Sequence, residues 1–307
     1  MDKILFGAAY YPEYMPYDRI DQDMEMMKQA GMNVIRVAES TWSTLEPEPG
    51  VFDFTYIDKI LEAAGRFDMK VIVGTPTYAI PAWLAAKYPD ILAETAEGKA
   101  RYGHRQNMDI TNQHFRGHAE RVIRKLVLHV RNHPQVIGYQ IDNETKHYGT
   151  AGPNVQAAFR QYLMEKFGTT KKLNETFHLA YWSNSIHRWE DLPDMKGCIN
   201  GGLAAEFEKF QRLLAAEFLR WQADIVIDYK KKAQFITQNL DFEWRKFGAD
   251  IAQDGYSYGV QPQINHYDAA RFIYLTGVDI YHPTQDQLTG AEIAYGGDSV
   301  RTLKQEP

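Results

Sequence analysis

The chain has 307 residues, of which 44% are hydrophobic and 13% aromatic. This length fits one large domain, because α/β barrels run to roughly 200–250 residues as a single unit. The hydrophobic content excludes an intrinsically disordered chain. Asp and Glu outnumber Lys and Arg by 40 to 34, which gives a formal net charge of −6. A mildly acidic chain without a basic tract is predicted to have no nucleic-acid partner.

The cysteine content and the apolar runs indicate the compartment. Cys198 is the single cysteine of the sequence, which excludes an intrachain disulfide and a cysteine-rich zinc site. The first residues contain no apolar stretch long enough for a signal peptide. No run approaches the roughly 18 apolar residues that a membrane helix needs. We therefore predict a cytoplasmic protein that does not enter a membrane.

Short apolar runs alternate with amphipathic segments along the chain. Six apolar runs, the first of which is expected to be buried, are predicted to be strands: 4–9, 33–38, 70–75, 136–141, 233–238 and 277–281. The amphipathic segments are predicted to be helices around 18–31, 57–64, 122–130, 155–167 and 203–232. The stretch 173–200, rich in Trp, Asn and His, is predicted to be irregular.

Near-continuous apolar strands separated by helices indicate a parallel sheet covered on both faces. The turn after the first strand has no glycine-rich phosphate loop, which favours a barrel over a dinucleotide-binding sheet. The predicted fold class is α/β, a (β/α)8 TIM-type barrel. A full barrel needs eight strands, and residues 299–307 are predicted to be a helix and the approach to a seventh strand. We expect residues 1–307 to form one catalytic barrel domain, truncated after about six strands.

Polar residues follow the predicted strands, where the active-site groups of such barrels lie. The fourth strand is followed at once by Asn143 and Glu144. Glycoside hydrolysis needs a carboxylic acid that protonates the leaving oxygen, and hydrogen bonds to the sugar 2-hydroxyl strengthen in the transition state. Asn143 and Glu144 fit these two roles. The alternative is a glutamate that caps the next helix or pairs with a lysine.

Several segments together resemble the glycoside hydrolase family 42 β-galactosidases, in order and over essentially the whole chain. The segments are 6–13 (FGAAYYPE), 31–37 (GMNVIRV), 42–47 (WSTLEP), 50–54 (GVFDF), 75–77 (TPT), 81–84 (PAWL), 141–144 (IDNE), 173–175 (LNE) and 181–183 (YWS). The resemblance implies a retaining glycoside hydrolase that releases terminal β-D-galactose from β-galactosides. No cofactor is expected, and the implied partner is a small carbohydrate substrate.

The resemblance also implies roles for single positions. Glu144 matches the family's proton donor, which later acts as a base, and Asn143 matches its substrate-binding neighbour. Arg105 matches a sugar-binding arginine, with a solvated loop charge as the alternative. Trp182 is expected to line the sugar pocket, unless it only packs its loop. Tyr281 matches a strand-six tyrosine that hydrogen-bonds the nucleophile, and the alternative is simple burial.

Two departures from the family pattern affect the expected site. Many members carry a zinc-binding cysteine cluster beside the proton-donor loop, but residues 146–154 contain no cysteine, so no metal is predicted. His104, His133 and His147 stay unassigned. The family's nucleophilic glutamate lies at the end of the seventh strand, which is expected just beyond residue 307. Glu306 would lie at the wrong end of that strand. The carboxylates considered as substitutes are those that follow strands: Glu39, Glu46, Asp241 and Glu243.

Three interpretations therefore stand. The first is a β-galactosidase whose general acid/base is Glu144. The second is a catalytically inactive fragment or a sugar-binding module built on the same scaffold. The third is a retaining glycosidase of another specificity, such as an arabinosidase or a β-glucosidase. Members of the family form trimers through a later domain, so a homo-oligomer is left open.

Overall fold

The computed structural model describes residues 4–15, 18–246, 256–260, 263–280 and 290–304. Its strands are β1 Gly7–Ala9, β2 Val34–Val37, β3 Lys70–Gly74, β4 Glu94–Thr95, β5 Gly98–Lys99, β6 Val136–Gln140, β7 Phe235–Lys246, β8 Tyr256–Val260 and β9 Leu275–Asp279. Its α-helices are α1 Ile20–Gln29, α2 Trp42–Leu45, α3 Thr55–Arg66, α4 Ala82–Lys87, α5 Gln113–Val130, α6 Pro153–Phe167, α7 Thr170–Phe177, α8 Gly201–Tyr229, α9 His266–Ala270 and α10 Ala291–Thr302.

Six parallel strands form a half-barrel in the order β1, β2, β3, β6, β7 and β9, with helices around it. These are the six strands predicted from the apolar runs, so the predicted fold class is confirmed. The sheet places strands in chain order, as right-handed strand–helix–strand units do. The carboxyl ends of all six strands consequently lie along one edge of the sheet.

Three predicted elements differ from the structure. The strand β1 is exposed rather than buried, because within the described chain it pairs only with β2. The strand β7 runs beyond the predicted 238, since its second half pairs antiparallel with β8. The first part of the stretch predicted to be irregular belongs to helix α7. The side chain of Thr169 caps the N-terminus of this helix by accepting a hydrogen bond from the backbone N–H of Lys172.

The core lies between the sheet and the helices that cover it. The predicted apolar stripes of α3 and α5 are buried at Ile57, Ile60, Leu61, Ala64, Val122, Ile123, Leu126, Val127 and Val130. Burying each Val, Ile or Leu side chain contributes about 1.5–3 kcal/mol. Within the described ranges, no helix is both long enough and apolar enough to cross a membrane.

A close approach at the end of β3 positions one of the polar residues of the barrel mouth. A Cβ atom on Gly74 would lie 2.6 Å from the Cβ atom of Glu39 and 2.9 Å from its Cα atom. Real side chains do not tolerate such contacts, so only glycine lets the end of β3 lie against the segment that follows β2. Gly74 therefore sets the place of Glu39.

We expect Gly74→Ala to lower the free energy of unfolding by about 1–3 kcal/mol, because the added methyl group overpacks a contact made by backbone atoms. Gly65→Ala is the matched control. Gly65 lies in α3 with no atom near its missing side chain, and alanine there should raise stability by roughly 0.5–1 kcal/mol. Urea unfolding of both variants is the measurement, and equal effects would contradict the packing argument.

Candidate active site

Glu144 lies at the carboxyl end of β6 and is almost buried, with 7% of its surface exposed. Its backbone N–H donates to Oδ1 of Asn239 at 3.2 Å, and its carbonyl accepts from the Tyr148 hydroxyl at 2.8 Å. Glu144 has φ 46° and Asp142 has φ 51°. Residues other than glycine rarely adopt this left-handed backbone conformation, which costs about 1–3 kcal/mol per residue. The two hydrogen bonds of Glu144 hold the segment in it.

The loop that follows β5 brings a cation and an amide to this carboxyl group. Nη2 of Arg105 lies 3.3 Å from Oε2 of Glu144, while just over half of the Arg105 side chain remains exposed. The next side chain, Gln106, donates through Nε2 to the carbonyl of Asn143 at 2.7 Å. The structure therefore brings together three of the residues singled out in the sequence: Arg105, Asn143 and Glu144.

A second carboxyl group, that of Asp279 at the end of β9, is joined to the backbone of Glu144 through the side chain of Asn239 and was missed by the sequence analysis. Its Oδ2 atom accepts from Nδ2 of Asn239 at 2.8 Å, and the same amide donates to Oδ1 of Asn143 at 2.9 Å. Burial, followed by the interaction with Glu144, raises the pKa of Asp279.

Asp279 escaped notice because the sixth strand was predicted to end at Tyr281. The strand actually ends two residues earlier, which places Asp279 rather than Tyr281 at its carboxyl end. The signal was present as an acidic residue within the apolar run 277–281, two positions before its end. Tyr281 itself lies outside the described residues.

A buried ion pair lies at the end of β2. Glu39 is fully buried, and its Oε1 atom accepts from Nε of Arg36 at 2.9 Å and from the Tyr11 hydroxyl at 2.7 Å. Nη1 of Arg36 donates to Oε1 of Gln140 on β6 at 2.9 Å. The second oxygen, Oε2, has no hydrogen-bond partner among the described residues. Such an oxygen can accept a hydrogen bond from a ligand hydroxyl.

A buried polar network supports the segment behind Asn143 and Glu144. The carboxylate of Asp142 accepts from the hydroxyls of Thr145 at 2.5 Å and Thr77 at 2.8 Å. Its backbone N–H donates to the Thr75 hydroxyl at 2.7 Å. Both Thr75 and Thr77 also reach Oε1 of Gln222 on α8. Burial raises the pKa of Asp142 to about 6, against the hydrogen bonds from the two threonines.

The other strand-end carboxylates have structural partners. Glu46 is fully buried, accepts from Nε1 of Trp42 at 3.0 Å and from Gly50 N–H at 2.7 Å, and pairs with Arg121. Asp241 pairs with Nζ of Lys146 at 2.5 Å. The side chain of Glu243 lies outside the described part of the chain.

Trp182 lies apart from these groups. Its indole is 70% exposed and stacks on Tyr181 with the ring centroids 4.8 Å apart. Among the hydrogen bonds and ring contacts of the described residues, none joins Trp182 to Glu144 or Arg105. The predicted contact of Trp182 with a sugar stays a prediction.

The histidine beside the site has a structural environment. His147 is buried, and its Nδ1 atom accepts from the Gly149 N–H at 3.0 Å. Burial, and then the charge of Arg212, lower the pKa of His147 to about 4, so the ring is neutral near pH 7. Across the described ranges, no group of three or more His, Cys, Asp or Glu side chains is arranged to hold a metal ion.

Carboxyl, amide and guanidinium groups thus converge at the carboxyl ends of the parallel strands, where (β/α) barrels carry their catalytic groups. A carboxylate-centred barrel mouth of this kind is typical of glycoside hydrolases. The model of glycoside hydrolase family 42, described as β-galactosidase, matches residues 9–306, and the chain belongs to this family.

Individual relatives agree with the family match. The β-galactosidase BgaA of a Thermus species is 32% identical over 243 residues, which are 77% of this chain and 38% of that protein. BgaA of Clostridium cellulovorans is 28% identical over 98% of this chain and 44% of its own length. The crystal structure of a β-galactosidase from Bacillus circulans sp. alkalophilus superposes with a TM-score of 0.83 and 26% identity, covering 99% of this chain and 43% of that one. The chain therefore spans less than half the length of these relatives.

The raised pKa of Asp142 has a consequence for stability. The pKa of the Asp142 carboxyl is higher in the folded chain than its ordinary value of 3.8. The contribution of this group to the free energy of unfolding is therefore most favourable at low pH, where the carboxyl is protonated in both states. Asparagine cannot ionise, so Asp142→Asn is the reference. The free energy of unfolding of the parent protein, relative to that of Asp142→Asn, should fall as the pH rises from about 4 to about 6 and then level off. Urea unfolding of both proteins at several pH values is the measurement, and a constant difference would contradict the assigned cause.

Proposed function

We propose that this chain forms the acid/base part of a retaining β-galactosidase, which releases terminal β-D-galactose from β-galactosides. The observation that carries the proposal is the placement of Glu144. Its carboxyl group lies at the barrel mouth beside Arg105 and Asn143, in a chain that belongs to family 42. The named relatives are β-galactosidases, which supports galactose as the sugar.

Each group of the site has a part in the proposed reaction. Glu144 protonates the glycosidic oxygen and later takes a proton from the attacking water. Asn143 binds the sugar 2-hydroxyl, and Arg105 positions both the carboxyl group and the sugar. The Oε2 atom of Glu39, which has no hydrogen-bond partner among the described residues, accepts a hydrogen bond from another sugar hydroxyl. Such a bond is favourable because a buried acceptor without a partner costs free energy.

The carboxylates at the described strand ends are poor candidates for the nucleophile of the proposed reaction. Retaining glycosidases hold their two carboxyl groups about 5–5.5 Å apart, with the sugar between them. Asp279 is bound by Nδ2 of Asn239 at 2.8 Å. Glu39 and Asp241 are held by Arg36 and Lys146. We therefore assign the nucleophile to none of these carboxylates.

A catalytically inactive galactose-binding module is the second candidate. It is favoured by the ion pairs of Glu39, Glu46 and Asp241, which give these strand-end carboxylates structural partners. Arabinosides and β-glucosides are alternative substrates, and a panel of aryl glycosides separates these specificities.

We also propose a compartment and a class of binding partner for the protein. The acidic net charge of −6 and the single cysteine support a cytoplasmic protein whose partner is a small carbohydrate and not a nucleic acid. Assembly into a homo-oligomer is left open.

We expect Glu144→Gln to lower kcat for a nitrophenyl β-galactoside by about 10²–10⁴-fold, the range supplied by a general acid. The loss should be smaller for an aryl group that leaves readily, since such a group needs little protonation. The assay uses the longest protein that the reading frame encodes, and Glu175→Gln on the exposed surface of α7 is the control. Galactose binding without turnover in the parent protein would favour the module, and equal activity of Glu144→Gln and parent would refute the assignment.

A further inference from the structure

The side-chain amide of Asn239 on β7 can lie in only one direction. Its Oδ1 atom accepts from the backbone N–H of Glu144 at 3.2 Å. A backbone N–H can only donate, so the oxygen of this amide must face Glu144 and its nitrogen must face the other way. The nitrogen, Nδ2, donates to Oδ2 of Asp279 at 2.8 Å. The partners of Asn239 therefore fix both ends of its amide.

The second N–H of Asn239 is directed at the amide of Asn143. Nδ2 of Asn239 donates to Oδ1 of Asn143 at 2.9 Å. Gln140 on β6 faces the same oxygen, with its Nε2 atom at 3.5 Å. Oε1 of Gln140 accepts from Nη1 of Arg36 at 2.9 Å, and a guanidinium can only donate, so the direction of Gln140 is fixed as well. Turning the Asn143 amide round would place its NH2 group against two donors.

One end of the Asn143 amide is left for a ligand. Among the hydrogen bonds of the residues that the structure describes, none uses Nδ2 of Asn143, whereas its Oδ1 atom faces two donors. Asn143 and Asn239 are both buried, and hydrogen bonds are stronger where water is excluded. The group that Asn143 offers at the barrel mouth is therefore an N–H donor and not a carbonyl oxygen.

We propose that Asn239 is a positioning residue that sets the direction of the Asn143 amide, so that Asn143 donates to the oxygen of the sugar 2-hydroxyl. This inference rests on the function proposed for the site, in which Asn143 binds that hydroxyl. Asn239 acts through Asn143, because both of its own N–H groups and its oxygen are bonded within the protein.

The direction of the amide decides how the site treats sugars that are altered at C2. A hydroxyl oxygen and a fluorine atom can both accept from an N–H, whereas a C–H in the same place cannot. A carbonyl oxygen, by contrast, binds a hydroxyl group but repels a fluorine atom. A site built to bond a hydroxyl rejects the analogue that leaves its buried group unpaired. The two directions of the amide thus predict different orders of binding.

The first experiment measures the direction of the amide by calorimetry on the longest protein that the reading frame encodes. The probes are methyl 1-thio-β-galactoside, which resists hydrolysis, its 2-deoxy form and its 2-deoxy-2-fluoro form. We expect the 2-deoxy form to bind about 5-fold or more weakly than the first probe, and the 2-fluoro form to bind about 2-fold or more tightly than the 2-deoxy form.

Two results would overturn the proposal while leaving the function proposed for the site intact. One is a 2-fluoro form that binds no better than the 2-deoxy form, and the other is a 2-deoxy form that binds as well as the first probe. A parent protein that binds none of the three probes would instead contradict the galactoside site itself, and the inference would fail with it.

The second experiment changes the residue that sets the direction. Asn239→Asp keeps an acceptor for the N–H of Glu144 but has no donor, so the Asn143 amide should turn its NH2 group towards position 239. Adding Asp279→Asn keeps the net charge and lets position 279 donate to position 239. In this combined variant we expect the advantage of the 2-fluoro form over the 2-deoxy form to disappear or to reverse.

Asn174→Asp is the matched control. The Asn174 amide in α7 accepts from the N–H of Ile186 at 3.0 Å and donates to its carbonyl at 2.7 Å, so aspartate removes a comparable donor away from the site. This variant should lose stability in urea and keep the parent ratio of the two affinities. A folded combined variant that also keeps the parent ratio would overturn the proposal. If the combined variant does not fold, Asn239→Ala removes the same donors without a new charge, and an unchanged ratio there would overturn it equally.

Discussion

The side-chain amide of Asn239 is the contact on which the rest of the site depends. It accepts from the backbone of Glu144 and donates to Asn143 and Asp279. An amide presents donor and acceptor on one rigid group, so a single residue of β7 holds the ends of both β6 and β9. These bonds also offset the cost of the left-handed conformation at Glu144.

The two arginines of the site differ in what they can do for their carboxylates. Arg36 is bound by Glu39, Tyr11 and Gln140, so that its ion pair is buried and rigid. Arg105 is more than half exposed, and its contact with Glu144 is weakened by solvent and readily rearranged. Glu39 is therefore suited to hold a ligand hydroxyl in a fixed place, whereas the surroundings of Glu144 can adjust to a ligand.

Apolar runs located the six parallel strands, and most residues of β2, β3 and β6 are buried, as apolar runs predict. The same signal was misleading for β1, whose residues are exposed at the edge of the sheet. It also missed the second half of β7, where pairing with β8 and not hydrophobicity extends the strand. Strand bounds depend on partners, and a sequence does not state which partners a strand has.

The sequence by itself determined the family, the barrel class and the place of Asn143 and Glu144, since these follow from local patterns and from the order of motifs along the chain. Only the tertiary structure decided that Asn239 joins Asp279 to Glu144 and that Glu46 is held by Trp42 and Arg121. These contacts join residues that lie far apart in the chain. Their existence depends on the register and curvature of the sheet, which local composition does not specify.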